Sequence, residues 1–328
     1  MNKRLRIAAV AAAASLALTA CASAQTGSSP SADGASYSIG IVQIISHDAL
    51  DSSREGFKKA LADAGLNVTY DEQNANGDQS VAASIAGTFA AADHDLILAI
   101  ATPAAQAVAQ AVTDTPVLFT AVTDPVGAQL VSSLDAPGGN VTGTSDANPV
   151  KEQLELIVQV VPEAHTIGVI YNSGEANSVT QVEWVKSAAA ELGLEVKEAT
   201  ATTTGEVQQA AESLDVDAVY IPTDNTVVSA VGSVVQVGET KQIPVFAAEG
   251  NTVAAGAIAT YGISYYDLGY QTGKQAARIL TEGANPATMP VETQEDLALY
   301  LNLGAAQRMG VTLPQNLIDK ADPENVTK

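Results

Sequence analysis

Leu96–Val112 reads LILAIATPAAQAVAQAV, and it decides how this chain folds. Leu96–Ile100 is apolar without a break, so both faces of the segment should be covered, as in a parallel sheet. Ala101-Thr102-Pro103 follows: proline suits the first turn of a helix, and Thr102 suits the N-cap before it. The spacing then predicts a helix over Ala104–Val112. The free N–H groups and positive dipole end of such a helix point at the carboxyl edge of the sheet, where open α/β folds bind ligands and where an anion is favoured.

The same pattern returns in the second half. Ala218–Ile221 reads as a buried strand, Pro222-Thr223-Asp224-Asn225 as the turn and Thr226–Val237 as the helix. This turn carries a carboxylate, Asp224. One half offers N–H donors and a hydroxyl, the other a negative charge, so the pair suits a ligand with both a carboxylate and an ammonium. The expectation is a two-lobed protein closing on an amino acid.

At 328 residues the chain is long enough for two α/β lobes, and 46% hydrophobic residues can fill their cores. The formal charge is −22, and no basic patch offsets it, which argues against nucleic acid as a partner. Residues 1–20 hold Lys3, Arg4 and Arg6 and no acid, so their removal would take the charge from −22 to −25. Those three residues form a basic n-region, and Ile7–Leu18 is an apolar h-region too short to span a bilayer. Leu18-Thr19-Ala20-Cys21 then resembles the lipobox of bacterial lipoproteins, and Cys21 is the only cysteine, so no intrachain disulfide can form. Residues 1–20 are thus expected to be a signal peptide, Cys21 the lipidated residue that anchors the protein outside the cytoplasm, and 21–36, rich in Ser, Ala and Gly, a flexible tether.

The rest alternates strands and helices. Ser38–Ile45, Val68–Gln73, Leu96–Ile100, Val117–Thr120 and Val141–Thr144 read as strands, with helices at Ala49–Ala64, Asp78–Ala92 and Ala104–Val112. After a helix at Val150–Val160 a second series runs from Thr166 to Tyr261, and Tyr265–Glu282 is a long helix. The βαβα order predicts parallel sheets and a Rossmann-like α/β class in two lobes, 37–145 plus 264–300 and 146–263 plus 301–328. Gly143–Asn148, Gly262–Tyr266 and Leu297–Asn302 are the expected hinge segments.

Candidate ligand contacts cluster at predicted strand ends. Thr102 caps its helix and orients the same N–H groups that would hold a carboxylate, with Ala104 and Ala105 contributing backbone only. Thr123 and Asp124 end another strand, and Asp124 either meets the ligand or caps a short helix at Pro125. Asp224 either holds the ammonium or caps; its strand end favours the ligand. Glu175 is a second possible contact, beside Asn177 and Ser178, either of which could cap the helix that follows. His47, at the mouth of the first strand, reads as a flat wall for a ligand side chain, and Tyr265 lines the hinge or packs in the core. Asn172 and Asn225 lie in the same turns and complete the set. Nothing points to catalysis: His47, His94 and His165 lack metal-ligand spacing, and no nucleophile elbow, P-loop or dinucleotide fingerprint is present, so neither metal nor cofactor is expected.

Several stretches together resemble the ABC-transporter substrate-binding proteins of the tryptophan/tyrosine type. They are Val42-Gln43-Ile44, His47–Gly56 (HDALDSSREG), Val122–Val126 (VTDPV), Pro137–Gly143 (PGGNVTG), Tyr171–Ser178 (YNSGEANS), Pro222–Asn225 (PTDN), Gly262–Gly269 (GISYYDLG) and Leu301-Asn302-Leu303. The usual proline after the first-loop histidine is Asp48 here. The resemblance implies a periplasmic-binding-protein type I fold and delivery of a ligand, here expected to be an aromatic amino acid, to an ABC permease with its ATPase. Alternatives are a receptor or sensor for another small polar ligand, or an extracellular hydrolase. A repressor of similar two-lobe fold is disfavoured by the signal peptide and the lack of a DNA-binding head.

Overall fold

The uninterrupted apolar run at Leu96–Ile100 forms a strand with all five residues buried, and the first lobe is built around it. The structure is a computed structural model and describes residues 36–294 and 296–328. The expected signal peptide, Cys21 and all of the tether but Ser36 lie outside the described residues; Ser36 already begins the first strand. In chain order the first lobe runs β1 (Ser36–Gln43), α1 (Asp48–Asp63), β2 (Asn67–Asn74), α2 (Gln79–Ala90), β3 (Leu96–Ile100), α3 (Thr102–Ala111), β4 (Val117–Val122) and β5 (Val141–Ser145). The second continues with α4 (Val150–Val160), β6 (Thr166–Tyr171), α5 (Ala176–Leu192), β7 (Glu195–Thr200), α6 (Val207–Ser213), β8 (Ala218–Ile221), α7 (Asn225–Ser229), α8 (Val231–Lys241), β9 (Val245–Ala247), α9 (Gly250–Ala254) and β10 (Ala259–Gly262). Then come α10 (Tyr265–Glu282), β11 (Glu292–Thr293), β12 (Ala298–Asn302), α11 (Leu303–Arg308), α12 (Gln315–Lys320) and β13 (Val326–Thr327).

The first sheet has the order β11-β5-β4-β3-β1-β2, all parallel, and the second the order β7-β6-β8-β9, also parallel. A third, β10-β12-β13, departs from the all-parallel expectation, because β12 returns antiparallel to β10. Each lobe has its own core: Ile39, Phe57, Leu98 and Phe119 belong to one, Ile157, Val185, Tyr220 and Phe246 to the other. The chain crosses between the cores after Ser145, after Gly262 and between Thr293 and Ala298. Ile263 therefore packs with the first core, whereas Leu299 packs with the second. Residues 298–300, expected in the first lobe, go with the second, since strand pairing to β10 holds them there. Among the described residues no helix is long and apolar enough to cross a membrane.

Helix starts differ from the expected ones in three places that matter for the site. α3 begins at Thr102, so the N-cap is Ala101, at φ 78° and ψ 156°, and Thr102 makes no capping bond. α1 begins at Asp48, one residue before the expected Ala49, with His47 as the N-cap residue. α5 begins at Ala176 with Glu175 at the cap position, which places Asn177 and Ser178 inside the first turn. The expected helix Thr226–Val237 breaks at Ala230 into α7 and α8.

Candidate functional site

A small cavity of about 20 Å³ lies where the two lobes meet, beside a wider opening of about 200 Å³ that shares His47, Ala49, Val228 and Glu249 with it. The first lobe supplies His47, Ala49, Leu50 and Ala121. The second supplies Asn177, Thr223, Asp224, Asn225, Val228 and Glu249, and the hinge supplies Asp146 and Tyr265. Strand ends bring these residues together. Asp146 follows β5, Asp224 follows β8 and Glu249 follows β9 by two residues. His47 and Tyr265 stand at the starts of α1 and α10. Backbone strain sits here too: Ala101 and Ala121 both have positive φ, an arrangement that costs of order 1–3 kcal/mol and clusters at functional sites.

Among the described residues three carboxylates line the cavity and no Lys or Arg does. Their surroundings differ. Asp224 caps α7: one oxygen accepts from Val227 N at 2.7 Å, the other from Asn172 N at 2.5 Å and Ser178 Oγ at 2.7 Å. Burial, then the charge of Glu175, raises its pKa. Glu249 caps α9, accepting from Asn251 N at 2.6 Å and Thr252 N at 2.7 Å as well as from the Thr252 hydroxyl, and burial pushes it up to about 7. The Asp146 carboxylate accepts at Oδ2 from the Tyr265 hydroxyl at 2.5 Å, and the nearby Thr123 side chain also favours its charged form. Its Oδ1 is buried with no partner among the described residues, and burial raises its pKa.

Unpaired buried polar atoms concentrate in this region, although such atoms are few in folded proteins. Besides Asp146 Oδ1 they include both ring nitrogens of His47, Thr102 Oγ1, Asn148 Oδ1 and Asn177 Oδ1. Thr102 opens α3 beside the cavity wall, since Ala101 N donates to Thr120 O, next to Ala121. The amides of Thr102 and Ala104 precede the first intrahelical bond, from Ala105 N to Ala101 O, so they face forward from the helix end.

Of the residues expected from sequence, the cavity therefore gathers His47, Asn177, Asp224, Asn225 and Tyr265. Thr102 lies at the sheet edge beside it, while Ala104 and Ala105 are fully buried in the first core. Thr123 reaches across the lobes, its hydroxyl 3.2 Å from that of Thr223. Asp124 instead turns back on its own loop and accepts from Gly127 N at 2.8 Å. Glu175, Asn172 and Ser178 form the layer behind the cavity. The Glu175 carboxylate takes Asn225 N, Asn225 Nδ2, Thr226 N and Thr226 Oγ1, so its lone pairs are spent holding the start of α7. The reading of the sequence passed over Asp146, Thr223 and Glu249. The strand-end rule that picked out Asp224 could have found Glu249, and Asp146 stood inside the expected hinge Gly143–Asn148.

Residues 38–325 match the model of the family described as ABC transporter substrate binding protein. A tyrosine-binding protein of Clostridioides difficile (strain R20291) is 44% identical over 270 residues, 80% of this chain and 78% of the relative. The structure is similar to an ABC domain from Streptococcus pneumonia in complex with L-Trp, at 38% identity and TM-score 0.85, over 90% of this chain and 100% of that one. It is also similar to the ligand-free, open structure of a substrate binding protein with adhesive properties from Clostridium difficile, at 43% identity and TM-score 0.66, over 89% of this chain and 98% of that one. The superposition is thus better on the L-Trp complex than on the open, ligand-free protein, although the open one is nearer in sequence. With its parallel two-lobed architecture, the chain has the periplasmic-binding-protein type I fold, and it belongs to the family of ABC transporter substrate-binding proteins.

Proposed function

We propose that this protein captures an aromatic amino acid between its lobes, outside the cytoplasm, and hands it to an ABC permease driven by its ATPase. The observation that carries the reading is the buried Asp146 oxygen, which among the described residues has no partner, in a cavity that those residues line with carboxylates and with no cationic side chain. A ligand ammonium supplies the missing positive charge. The N-terminus of α3, with the unpaired Thr102 hydroxyl, offers donors for the ligand carboxylate. The tyrosine-binding relative and the L-Trp complex support an aromatic side chain. Asp224 and Asn225 then line the ligand from the second lobe, and Tyr265 sets the orientation of Asp146.

Magnitudes are adequate. Each charge-assisted hydrogen bond contributes roughly 1.5–3 kcal/mol. Burying ~150–200 Å² of aromatic side chain adds ~4–5 kcal/mol at about 25 cal/mol/Å². After association costs, binding of about −8 kcal/mol, or micromolar, is within reach. Titration calorimetry with tyrosine, tryptophan and phenylalanine, each beside its deaminated analogue, tests the reading. The amino acids should bind and the analogues should lose at least about a hundredfold, given the cost of a buried carboxylate left unpaired. Equal binding of the two sets refutes the ammonium site.

The proposal includes a lipid anchor at Cys21, supported by the lipobox that follows a short h-region. A Cys21→Ser variant should leave the membrane fraction of fractionated cells. Retention as firm as the parent's rules the anchor out.

A further inference from the structure

We infer that His47 reads the ligand's side chain: its imidazole accepts a hydrogen bond from a ring O–H or N–H, so the site takes tyrosine and tryptophan in preference to phenylalanine. This rests on the amino-acid reading above and narrows it to aromatic rings that carry a donor.

His47 lines both the inner cavity and the wider opening beside it. Both of its ring nitrogens are buried, and neither has a hydrogen-bond partner among the described residues. Of the polar groups around it, the Asn225 side chain and the Asp48 carboxylate lie near the ring and favour its charged form, but neither makes a hydrogen bond to it of normal length. Asp51 accepts from Gln43 Nε2 at 2.8 Å and Ser46 Oγ at 2.6 Å. Glu249 is taken by the first turn of α9, and the amide nitrogens of Asn225 go to Glu175. The neighbouring wall is apolar, formed by Ala49, Leu50, Ala121 and Val228. An aromatic ring against that wall comes within reach of the imidazole, whose nitrogens have no other partner among the described residues.

Burial also holds the ring neutral, lowering its pKa to about 4 against the raising pull of Asp51. A neutral imidazole keeps one bare nitrogen as acceptor and one N–H as donor. A phenol can donate to the bare nitrogen or accept from the N–H; an indole N–H can serve the acceptor. A phenyl ring serves neither, and in the closed cleft it leaves both nitrogens unpaired. Sites built to pair a substrate hydroxyl reject the analogue that lacks it far more strongly than apolar pockets reject a missing methylene.

The test is calorimetry of tyrosine, tryptophan, phenylalanine and 4-fluorophenylalanine on the full protein and on two variants, His47→Phe and His47→Gln, with melting curves to confirm folding. The parent should bind tyrosine and tryptophan at least about tenfold tighter than phenylalanine or its fluoro analogue, which nearly matches tyrosine in size without a donor. His47→Phe should weaken tyrosine by about tenfold or more and move phenylalanine by less than about threefold. His47→Gln keeps a donor and an acceptor and should recover part of the tyrosine preference. Phenylalanine binding within about threefold of tyrosine on the parent overturns the inference, as does a tyrosine preference that survives His47→Phe. In either case the amino-acid reading stands. If no aromatic amino acid binds, both fall. Should His47→Phe fail to fold, the parent series and His47→Gln still decide.

Discussion

Asp146 and Asp224 are both buried carboxylates at strand ends, and a sequence does not show which of them has lone pairs to spare. Asp224 accepts from three donors, two of them 46 and 52 residues away in the chain, so its commitment is visible only once α5 and β6 are placed beside β8. Asp146 keeps one oxygen without a partner. The two should therefore respond differently to loss of charge. Asp146→Asn keeps an acceptor for the Tyr265 hydroxyl but removes the counterion of a buried ammonium. Affinity for the amino acid should fall by two to four decades, the equivalent of roughly 3–5 kcal/mol, with a melting temperature close to the parent's. Asp224→Asn turns an NH2 toward donors already in place, so it should mainly lower stability, by about 1–3 kcal/mol. Calorimetry paired with melting curves separates the two. An Asp146→Asn protein that binds within a few-fold of the parent moves the amine anchor to Glu249 or Asp224. Part of the site was legible in the chain: His47, Asp224 and Asn225 follow from the strand-end rule. What stayed hidden is the hydrogen-bond accounting that sorts cap from contact, because it depends on long-range partners.

α1 and α10 show how elements deliver residues to the cavity. Both start there, α1 from His47 and α10 with Tyr265, and they pack against each other through glycines. A Cβ on Gly56 would strike the backbone carbonyl of Tyr266, one on Gly269 that of Ser53, and one on Gly273 the carbonyl oxygen of Phe57. The helices touch backbone to backbone, and that distance sets how far apart His47 and Tyr265 stand. Gly269→Ala should force the pair apart at a cost of about 1–3 kcal/mol or more, since rigid backbone is in the way. The melting temperature should drop by several degrees and ligand affinity should fall with it. Gly87→Ala is the control: Gly87 is exposed in α2 with open space around it, and alanine there should stabilise by up to about 1 kcal/mol. A Gly269→Ala protein as stable as the parent would show that the helices can slide apart freely. The apolar spacing of Tyr265–Glu282 placed that helix to the residue, whereas the break of Thr226–Val237 at Ala230 comes two residues before Gly232, a lone glycine that α8 carries within its first turn. Tertiary packing ends α7 after five residues. The antiparallel β10–β12 pair was hidden for a related reason: register between strands some 40 residues apart is a property of the assembled lobe.

For the whole molecule the cavity, the hinge and the charge form one problem. The lobes touch through Thr123–Thr223 at 3.2 Å and through Gln79 Nε2, which donates to Gly174 O at 3.0 Å. In this arrangement Asp146, Asp224 and Glu249 are all buried around one small cavity, in a chain of formal charge −22. Without a ligand cation the acids favour protonation. Glu249 titrates near 7 in the folded state against an ordinary 4.5, so between those values the folded protein holds a proton that the unfolded chain has released. Stability must then rise as pH falls through 7 and be lost again as pH rises above it; for Glu249 alone the full effect is roughly 3 kcal/mol. His47 works the other way. It titrates near 4 instead of 6.5, so it subtracts stability only as pH drops below about 6.5. The ligand-free protein should therefore melt at a higher temperature at pH 6 than at pH 8. A bound ammonium requires the carboxylates charged, which reverses the preference. Affinity for the amino acid should weaken from pH 8 to pH 6, and binding at pH 7 should release protons, seen as heats that vary with the ionisation enthalpy of the buffer. General relief of surface repulsion would also raise the melting temperature on acidification. Glu249→Gln isolates the buried contribution, because glutamine can still accept from the start of α9 but cannot titrate. The variant should flatten the pH dependence of both melting and affinity. If its profiles track the parent's, the pH response belongs to the surface and not to the cleft.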